Sequence, residues 1–449
     1  MTSLALQPAR LSRMALAIAS AIVGIGATVP LAAAQDAAAG SGWTFTSEQL
    51  ATGVNYGYQL ALDPVGRKVY FTDAQWRVEN RAPDGTISVG ATASGKVVVF
   101  DAASHAVVGD YDYVGLSRND GSGPDSAPLD WAGITDASIT SQASNRSTFS
   151  PYGIAVDGTT TDASGAADPT IVTTTARGRD AEHGYGGHLV VFNASQGAPT
   201  DVDRIYQFED GTPIFDGIRR VAANTVTHKA YVTNFAESRT EGGDRPGFIA
   251  VVDLPTRTVE ARVRVPETWG AIGVTVDEDN NLIYVGSLTG DRLYVIDGSK
   301  VDTSNAQDLE LNADAITELE AVVGENARPT YDPVLKRVYV SAYADPEGVI
   351  TVVDADPASA AYGTVIDTIK TGPTNSVAVD GERGLLYSAN LGAREVVVYD
   401  TVEHEEVLRL PTRGNAINIG IDPVTHEVWV SNFRDTSFAN VFTVSAPQS

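Results

Sequence analysis

The segment with the densest chemistry is Arg177-Gly178-Arg179-Asp180-Ala181-Glu182-His183-Gly184-Tyr185-Gly186-Gly187-His188. Two guanidiniums, two carboxylates and two imidazoles in a glycine-rich stretch could bind an anion, or a metal that prefers oxygen and nitrogen. The spacing matches no established metal motif, and a solvated loop is the simpler reading. Asn119-Asp120-Gly121-Ser122-Gly123 has the look of a calcium loop but lacks the alternating acids and the closing Glu. His404-Glu405 and His426-Glu427 begin like a zinc-protease helix, yet Leu408 and Val430 stand where the second His belongs. There is no Gly-x-Ser-x-Gly and no phosphate-cradling Gly-Lys-Ser/Thr. The sequence therefore implies no cofactor and no specific catalytic machinery.

These residues sit in a chain of 449 residues with 57 Asp+Glu against 31 Lys+Arg, a formal charge of −26. Such acidity argues against sequence-independent binding to nucleic acid, which needs a basic face to displace counterions. The absence of cysteine excludes disulfides, thiolate metal sites and a thiol nucleophile. Apolar residues at 43% and charged residues at 20% describe a globular protein. Arg10 and Arg13 precede an apolar stretch, Met14 to Val29, and then Pro30-Leu31-Ala32-Ala33-Ala34. A charged start, a short apolar core and small residues before a cut predict a secretory signal peptide over 1–34, cleaved after Ala34. A linker over 35–42 follows, and no later run approaches the ~18 apolar residues of a spanning helix. The expected product is an exported, soluble protein, secreted or retained in the periplasm or cell envelope.

What positions the chemistry is a repeat. Leu62-Asp63 leads to Tyr70, Ala223-Asn224 to Tyr231, Val276-Asp277 to Tyr284, Tyr331-Asp332 to Tyr339, Val379-Asp380 to Tyr387 and Ile421-Asp422 to Trp429, always seven residues on. A seventh copy starts at Tyr152 and runs to Asp157, its partner strand near Ile171 displaced by an insertion over Gly158 to Pro169. Each copy continues into a third β-branched run, such as Val97–Asp101 or Val396–Asp400, and often a fourth. Short strands rich in Val, Ile and Tyr, separated by Asp-Pro, Asp-Gly and Thr-Gly turns at a period of ~40–50 residues, predict propeller blades. The last copy stops at its third strand, whereas a lone strand, Trp43 to Leu50, precedes the first. The expected fold is thus all-β: one seven-bladed β-propeller over 43–449 with four-stranded blades. Its N-terminal strand completes the last blade, which leaves no open edge.

The segment Tyr231-Val232-Thr233-Asn234, with Tyr339-Val340-Ser341 and Tyr387-Ser388-Ala389-Asn390, resembles the YVTN-repeat β-propellers of bacterial and archaeal envelopes. The resemblance spans roughly 43–449 through the repeat count. It implies an exported or surface-located propeller and brings no cofactor motif. Some relatives are linked to nucleic acid, a partner that the acidity here argues against.

Strand alternation then separates framework from free positions. The second residue back from each strand-ending Asp or Asn is small: Ala61, Ala155, Ala222, Thr275, Thr330, Ala378 and Gly420. Seven inner strands crowding an axis require that. The aromatic column fills the space between blades, and the Asp residues bond turn backbones. The fourth residue back varies: Gln59, Gly153, Arg220, Gly273, Arg328, Ser376 and Asn418. It shares a face with the small column but lies nearer the strand start, so it should line the mouth of the central funnel. Arg220 and Arg328 either offer planar donors to a carboxylate or phosphate, or pair with an acid of a neighbouring blade. The connections between second and third strands are long at 74–96, 176–188 and 236–248, and 113–150 is the largest insertion. All fall on the rim that carries the mouth.

The reading that follows is a monomeric binding or scaffold module. It recognises an anionic small molecule, glycan or protein through Arg220, Arg328, Gln59 and Asn418, with Arg177, Arg179, His183 and His188 on the rim. A different class remains open, a metal-assisted hydrolase or lyase of the lactonase type with its site at the funnel mouth. So does a structural role in the envelope.

Overall fold

The computed structural model describes residues 42–51, 57–73, 79–81, 87–89, 95–113, 116, 151–180, 184–215, 217–234, 247–266, 270–342, 348–433 and 438–447. The expected signal peptide, His183, the calcium-like 119–123 and nearly all of 113–150 lie outside these residues. Seven four-stranded antiparallel sheets are present, joined in sequence as the blades of a seven-bladed β-propeller. Blade 1 runs Gly57–Asp63, Lys68–Asp73, Lys96–Asp101, Val107–Asp112. Blade 2 runs Pro151–Asp157, Thr170–Asp180, Gly184–Asn193, Arg204–Ile205. Blade 3 begins at Ile218–Asn224, blade 4 at Ala271–Asp277, blade 5 at Ala327–Asp332 and blade 6 at Thr374–Asp380. Blade 7 combines Asn415–Ile421, Val428–Phe433 and Phe438–Ser445 with Thr44–Ala51, which pairs with the last of these from Thr44↔Ser445 to Ala51↔Phe438. Among the described residues no helix is long and apolar enough to cross a membrane.

The register explains the two columns. Ala61 stands opposite Tyr70, Ala222 opposite Tyr231, Thr275 opposite Tyr284, Thr330 opposite Tyr339, Ala378 opposite Tyr387 and Gly420 opposite Trp429. Each aromatic is buried in a cluster that includes the next blade: Tyr70 with Ile154 and Val156, Tyr339 with Val377 and Leu386, Trp429 with Leu60. Burying one such ring stabilises by roughly 2–3 kcal/mol, so this column holds the blades together. Blade 2 has Val172 at the equivalent place, opposite Ala155. There the contact with blade 3 is made by Ile218, Val221 and Phe215.

A second inter-blade device was not anticipated. The fourth residue after the turn-forming Asp or Asn has a positive φ: Arg67, His228, Asn281, Lys336, Gly384 and His426 after first strands, and His105, Arg257 and His404 after third strands. Most are not glycine, so each carries a backbone cost. In many of them a contact with the preceding blade offsets it. Arg67 pairs with Asp422, His228 with Asp157 at 2.7 Å, His426 with Asp380 at 2.9 Å, and Arg257 with Asp203 at 2.7 Å. The acids use their other contacts for turn backbones, as Asp157 does in accepting from Thr159 N at 3.0 Å. His404 and His426, which looked like fragments of a zinc motif, are therefore inter-blade clasps.

His105 is the most heavily engaged of these. Its Nδ1 lies 2.8 Å from Glu48 of the N-terminal strand, its Nε2 lies 3.2 Å from Glu427 of blade 7, and its ring meets Trp429 edge-on at 5.2 Å. Only the imidazolium donates through both nitrogens. Burial opposes the charge, but the two carboxylates outweigh it and raise the histidine above its ordinary value.

Candidate functional site

The mouth of the funnel is shaped by breaks in the inner strands. Their pairing with the second strand shifts by one residue between Gly57 and Leu60, Pro151 and Ile154, Ile218 and Val221, Ala271 and Gly273, Thr374 and Ser376, and Ala416 and Asn418. Blade 5, which carries Arg328, pairs without a shift. A β-bulge leaves an extra residue and re-aims side chains near it, which is why bulges gather at barrel rims and sites.

In blades 1, 2 and 3 the bulged pairs Tyr58–Gln59, Tyr152–Gly153 and Arg219–Arg220 face a single threonine each. The second amide of each pair donates to that hydroxyl: Gln59 N to Thr72 at 2.9 Å, Gly153 N to Thr174 at 2.8 Å, Arg220 N to Thr233 at 2.9 Å. The same hydroxyls reach the next blade, Thr72 donating to Tyr152 O at 3.0 Å and Thr174 to Arg219 O at 2.6 Å. Ser431 does the same from blade 7, donating to Tyr58 O at 3.0 Å. Tyr231-Val232-Thr233-Asn234 thus acquires a physical meaning: the tyrosine packs between blades and the threonine holds the bulge. The asparagine ties down the incoming chain, Asn234 Oδ1 accepting from Gly217 N at 3.1 Å and Asn390 donating to Thr371 O at 3.1 Å.

The bulges bring together residues that strict alternation separates. Tyr58 lies against Tyr152 with ring centroids 3.6 Å apart, and the Arg219 guanidinium lies 5.1 Å from the Tyr152 centroid. Arg220 is enclosed by protein mass yet keeps partial solvent access, as a group deep in a funnel does. Burial first, and then the positive charge of Arg328, push it down to about 10; Tyr58 and Tyr152 act in the opposite direction. No carboxylate of the described residues acts on it. Arg328 is fixed differently, Nη1 donating to Asn375 O at 2.7 Å and to the Asn375 side-chain oxygen. Among the described residues Arg328 thus has Asn375 as an amide partner, and no carboxylate acts on Arg220.

The remaining predicted residues divide. Gln59 and Asn418 are buried at the mouth, Asn418 accepting from Leu60 N at 3.1 Å and donating to Ser376 at 3.2 Å. The loop expected over 176–188 is instead a hairpin, because the second and third strands of blade 2 keep pairing out to Asp180↔Gly184. Arg177 and Arg179 lie on its outgoing strand. His188 is buried within the blade, its ring stacked on Tyr206 at 4.5 Å and 7°. The structure therefore shows the His188 ring packed on Tyr206. Among the described residues no three His, Asp or Glu side chains converge as a metal would require.

No family model matches this chain, and no curated protein does. Among solved structures, the β-propeller domain of Myceliophteria thermophila Cps50 (Swd1) is similar with a TM-score of 0.52 at 10% identity, over 87% of this chain and 97% of that one. The likeness is one of fold alone. Function has to be argued from the mouth itself.

Proposed function

We propose that this protein is an exported, non-catalytic propeller of the YVTN-repeat kind that captures an anionic group at the mouth of its central funnel. The group belongs to a small molecule, or to a glycan or protein that presents it. The observation that carries this reading is Arg220, a guanidinium with no carboxylate partner among the described residues, beside a second arginine in a chain with an excess of acids. Retaining two like charges together is unfavourable for folding, and binding sites are where such costs are kept. Funnel geometry supports it, since concave sites with a few convergent polar groups are where ligands bind. A metal-assisted hydrolase would need clustered acids or imidazoles, whereas Gln59, Ser376, Asn418 and the arginines are neutral or cationic.

Calorimetric titration of the purified protein with inorganic sulfate, an oligogalacturonate and an acidic peptide tests this. At least one should bind saturably, and Arg220→Ala and Arg328→Ala should each weaken it tenfold or more, about 1.4 kcal/mol. Binding that ignores both substitutions would remove the site from the funnel. Export predicts Gln35 as the N-terminal residue of protein recovered outside the cytoplasm.

A further inference from the structure

The strand that closes the ring is lightly held. Along Thr44–Ala51 only Leu50 is buried, and Phe45 rests edge-on against Phe442 with centroids 6.0 Å apart; the other residues are partly or fully exposed. The strand pairs with Phe438–Ser445 on one side and is the outermost of its sheet. Little apolar surface returns to water when such an element opens, so its local opening costs less than unfolding of the ring. Blade 1 reaches across to this strand by the pair His105–Glu48.

His105 is set for that contact by its turn. Its amide donates to Asp101 O at 2.9 Å with φ at 57°, and the Asp101 carboxylate is held by Ser104 N at 2.9 Å and Lys68 Nζ at 3.0 Å. From this base the ring stands between Glu48 of the N-terminal strand, Glu427 at the start of blade 7's second strand, and the edge of Trp429. The other charges around it are matched, Arg67 with Asp422 and Lys68 with Asp101. The two carboxylates are unequal. Glu427 is 16% exposed and accepts from Thr425 Oγ1 at 3.0 Å and Thr443 Oγ1 at 3.5 Å, whereas Glu48 is 58% exposed. A neutral imidazole has one N–H and one lone pair, so it keeps one carboxylate and turns a lone pair toward the other. The enclosed, anchored Glu427 retains the donor. Glu48, with water at hand, swings away.

We propose that His105 is a pH-operated latch on ring closure: as an imidazolium it ties the N-terminal strand to blade 1, and on losing its proton it lets that strand open while the rest of the ring stays closed. Against burial, the two carboxylates hold the proton on above the ordinary value of 6.5. The latch is therefore shut below that value and opens as pH rises through the higher folded one. The equivalent clasps lack the property. Arg257 takes this place in blade 3, also at positive φ, with Nη1 2.7 Å from Asp203 and Nη2 2.6 Å from Asn193, and a guanidinium keeps its charge. His404 takes it in blade 6 and pairs with Asp367 of blade 5's fourth strand, away from the chain ends.

The test is hydrogen–deuterium exchange of the full protein at pH 6 and pH 9, with amide protection corrected for the intrinsic rate at each pH. It is read for 44–51 and for Thr258–Arg264, the fourth strand of blade 3 behind Arg257. Protection of 44–51 should fall about tenfold or more between the two pH values, and that of 258–264 by less than about threefold. His105→Arg, which suits a positive φ as Arg67 and Arg257 do and keeps its charge, should hold the strand as firmly at pH 9 as at pH 6. Glu48→Gln should lower protection of 44–51 at pH 6 and remove its pH dependence, with circular dichroism confirming the fold. An equal fall in both strands, or a pH dependence of 44–51 that survives in His105→Arg, would overturn the latch.

Discussion

Replacing Arg220 by glutamine should stabilise the protein while removing its anion binding. Burial and the charge of Arg328 push this guanidinium down to about 10. At about 1.4 kcal/mol for each pH unit, keeping it charged costs the folded state roughly 3 kcal/mol. Glutamine keeps part of the stem and a hydrogen-bonding end but not the charge. It also forfeits packing of the longer arginine stem and still has an amide to desolvate. A net gain of about 1–2 kcal/mol is expected, a rise in Tm of about 1–3 °C for a chain of this length. The assay is a pair of thermal melts at pH 7, without anion and with sulfate at saturating concentration. Wild type should gain Tm from sulfate by mass action, and the variant should start higher and gain nothing. A variant that melts several degrees lower without anion would mean that Arg220 has a structural partner, and the reasoning from its charge would fail.

Two further outcomes follow from the framework. His105 is raised by Glu48 and Glu427 against the opposing effect of burial, so its stabilisation is complete below the ordinary value of 6.5 and is lost as pH rises through the higher folded value. Between pH 6 and 9 the Tm of wild type should therefore fall more steeply than that of His105→Gln; identical slopes would show that the clasp contributes nothing. Gly286→Ala places a Cβ 2.1 Å from Ala327 O, backbone of the next blade that cannot swing aside, and should cost about 1–3 kcal/mol in urea denaturation. Gly109→Ala, with nothing within 4 Å, is the control and should change stability by less than about 0.5 kcal/mol.

The blades were legible because their signal is local and repeated. The seven-residue interval from Asp63 to Tyr70, met again from Asp422 to Trp429, fixes two paired strands and a turn, and the register obeys it. The mouth was only half legible. Counting back by twos from Asp63 or Asn224 reaches Gln59 and Arg220, the second residues of their bulged pairs, before the register shifts. One step further the alternation slips: strict alternation would turn Tyr58, Tyr152 and Arg219 to the opposite strand face, whereas the bulges bring them together. A bulge is a property of two strands together, and a single-strand pattern does not contain it. The threonines that hold it were present in the sequence as the third letter of Tyr231-Val232-Thr233-Asn234, but their task is invisible until the partner strand is known. The positive-φ clasps had a readable signal, a basic residue, His or Asn four places after the turn acid, as in Asp63/Arg67 and Asp422/His426. The hairpin over 176–188 had none, since its glycines favoured a loop.

Charge ties the whole to its proposed task. An anion approaching a protein of formal charge −26 is repelled by the average surface, so the acidity does not assist capture. That repulsion is screened over about 8 Å at physiological salt, so a small ion seated at the mouth, as proposed, answers mainly to the charges nearest it. An extended polyanion cannot separate the two fields: when one group reaches the arginines, its remaining charges still meet a protein of net negative charge. Net charge and local charge therefore act as a size filter together. A basic exterior would have drawn nucleic acid and polyanionic glycans to the same mouth, and an acidic mouth would have had no anion to hold.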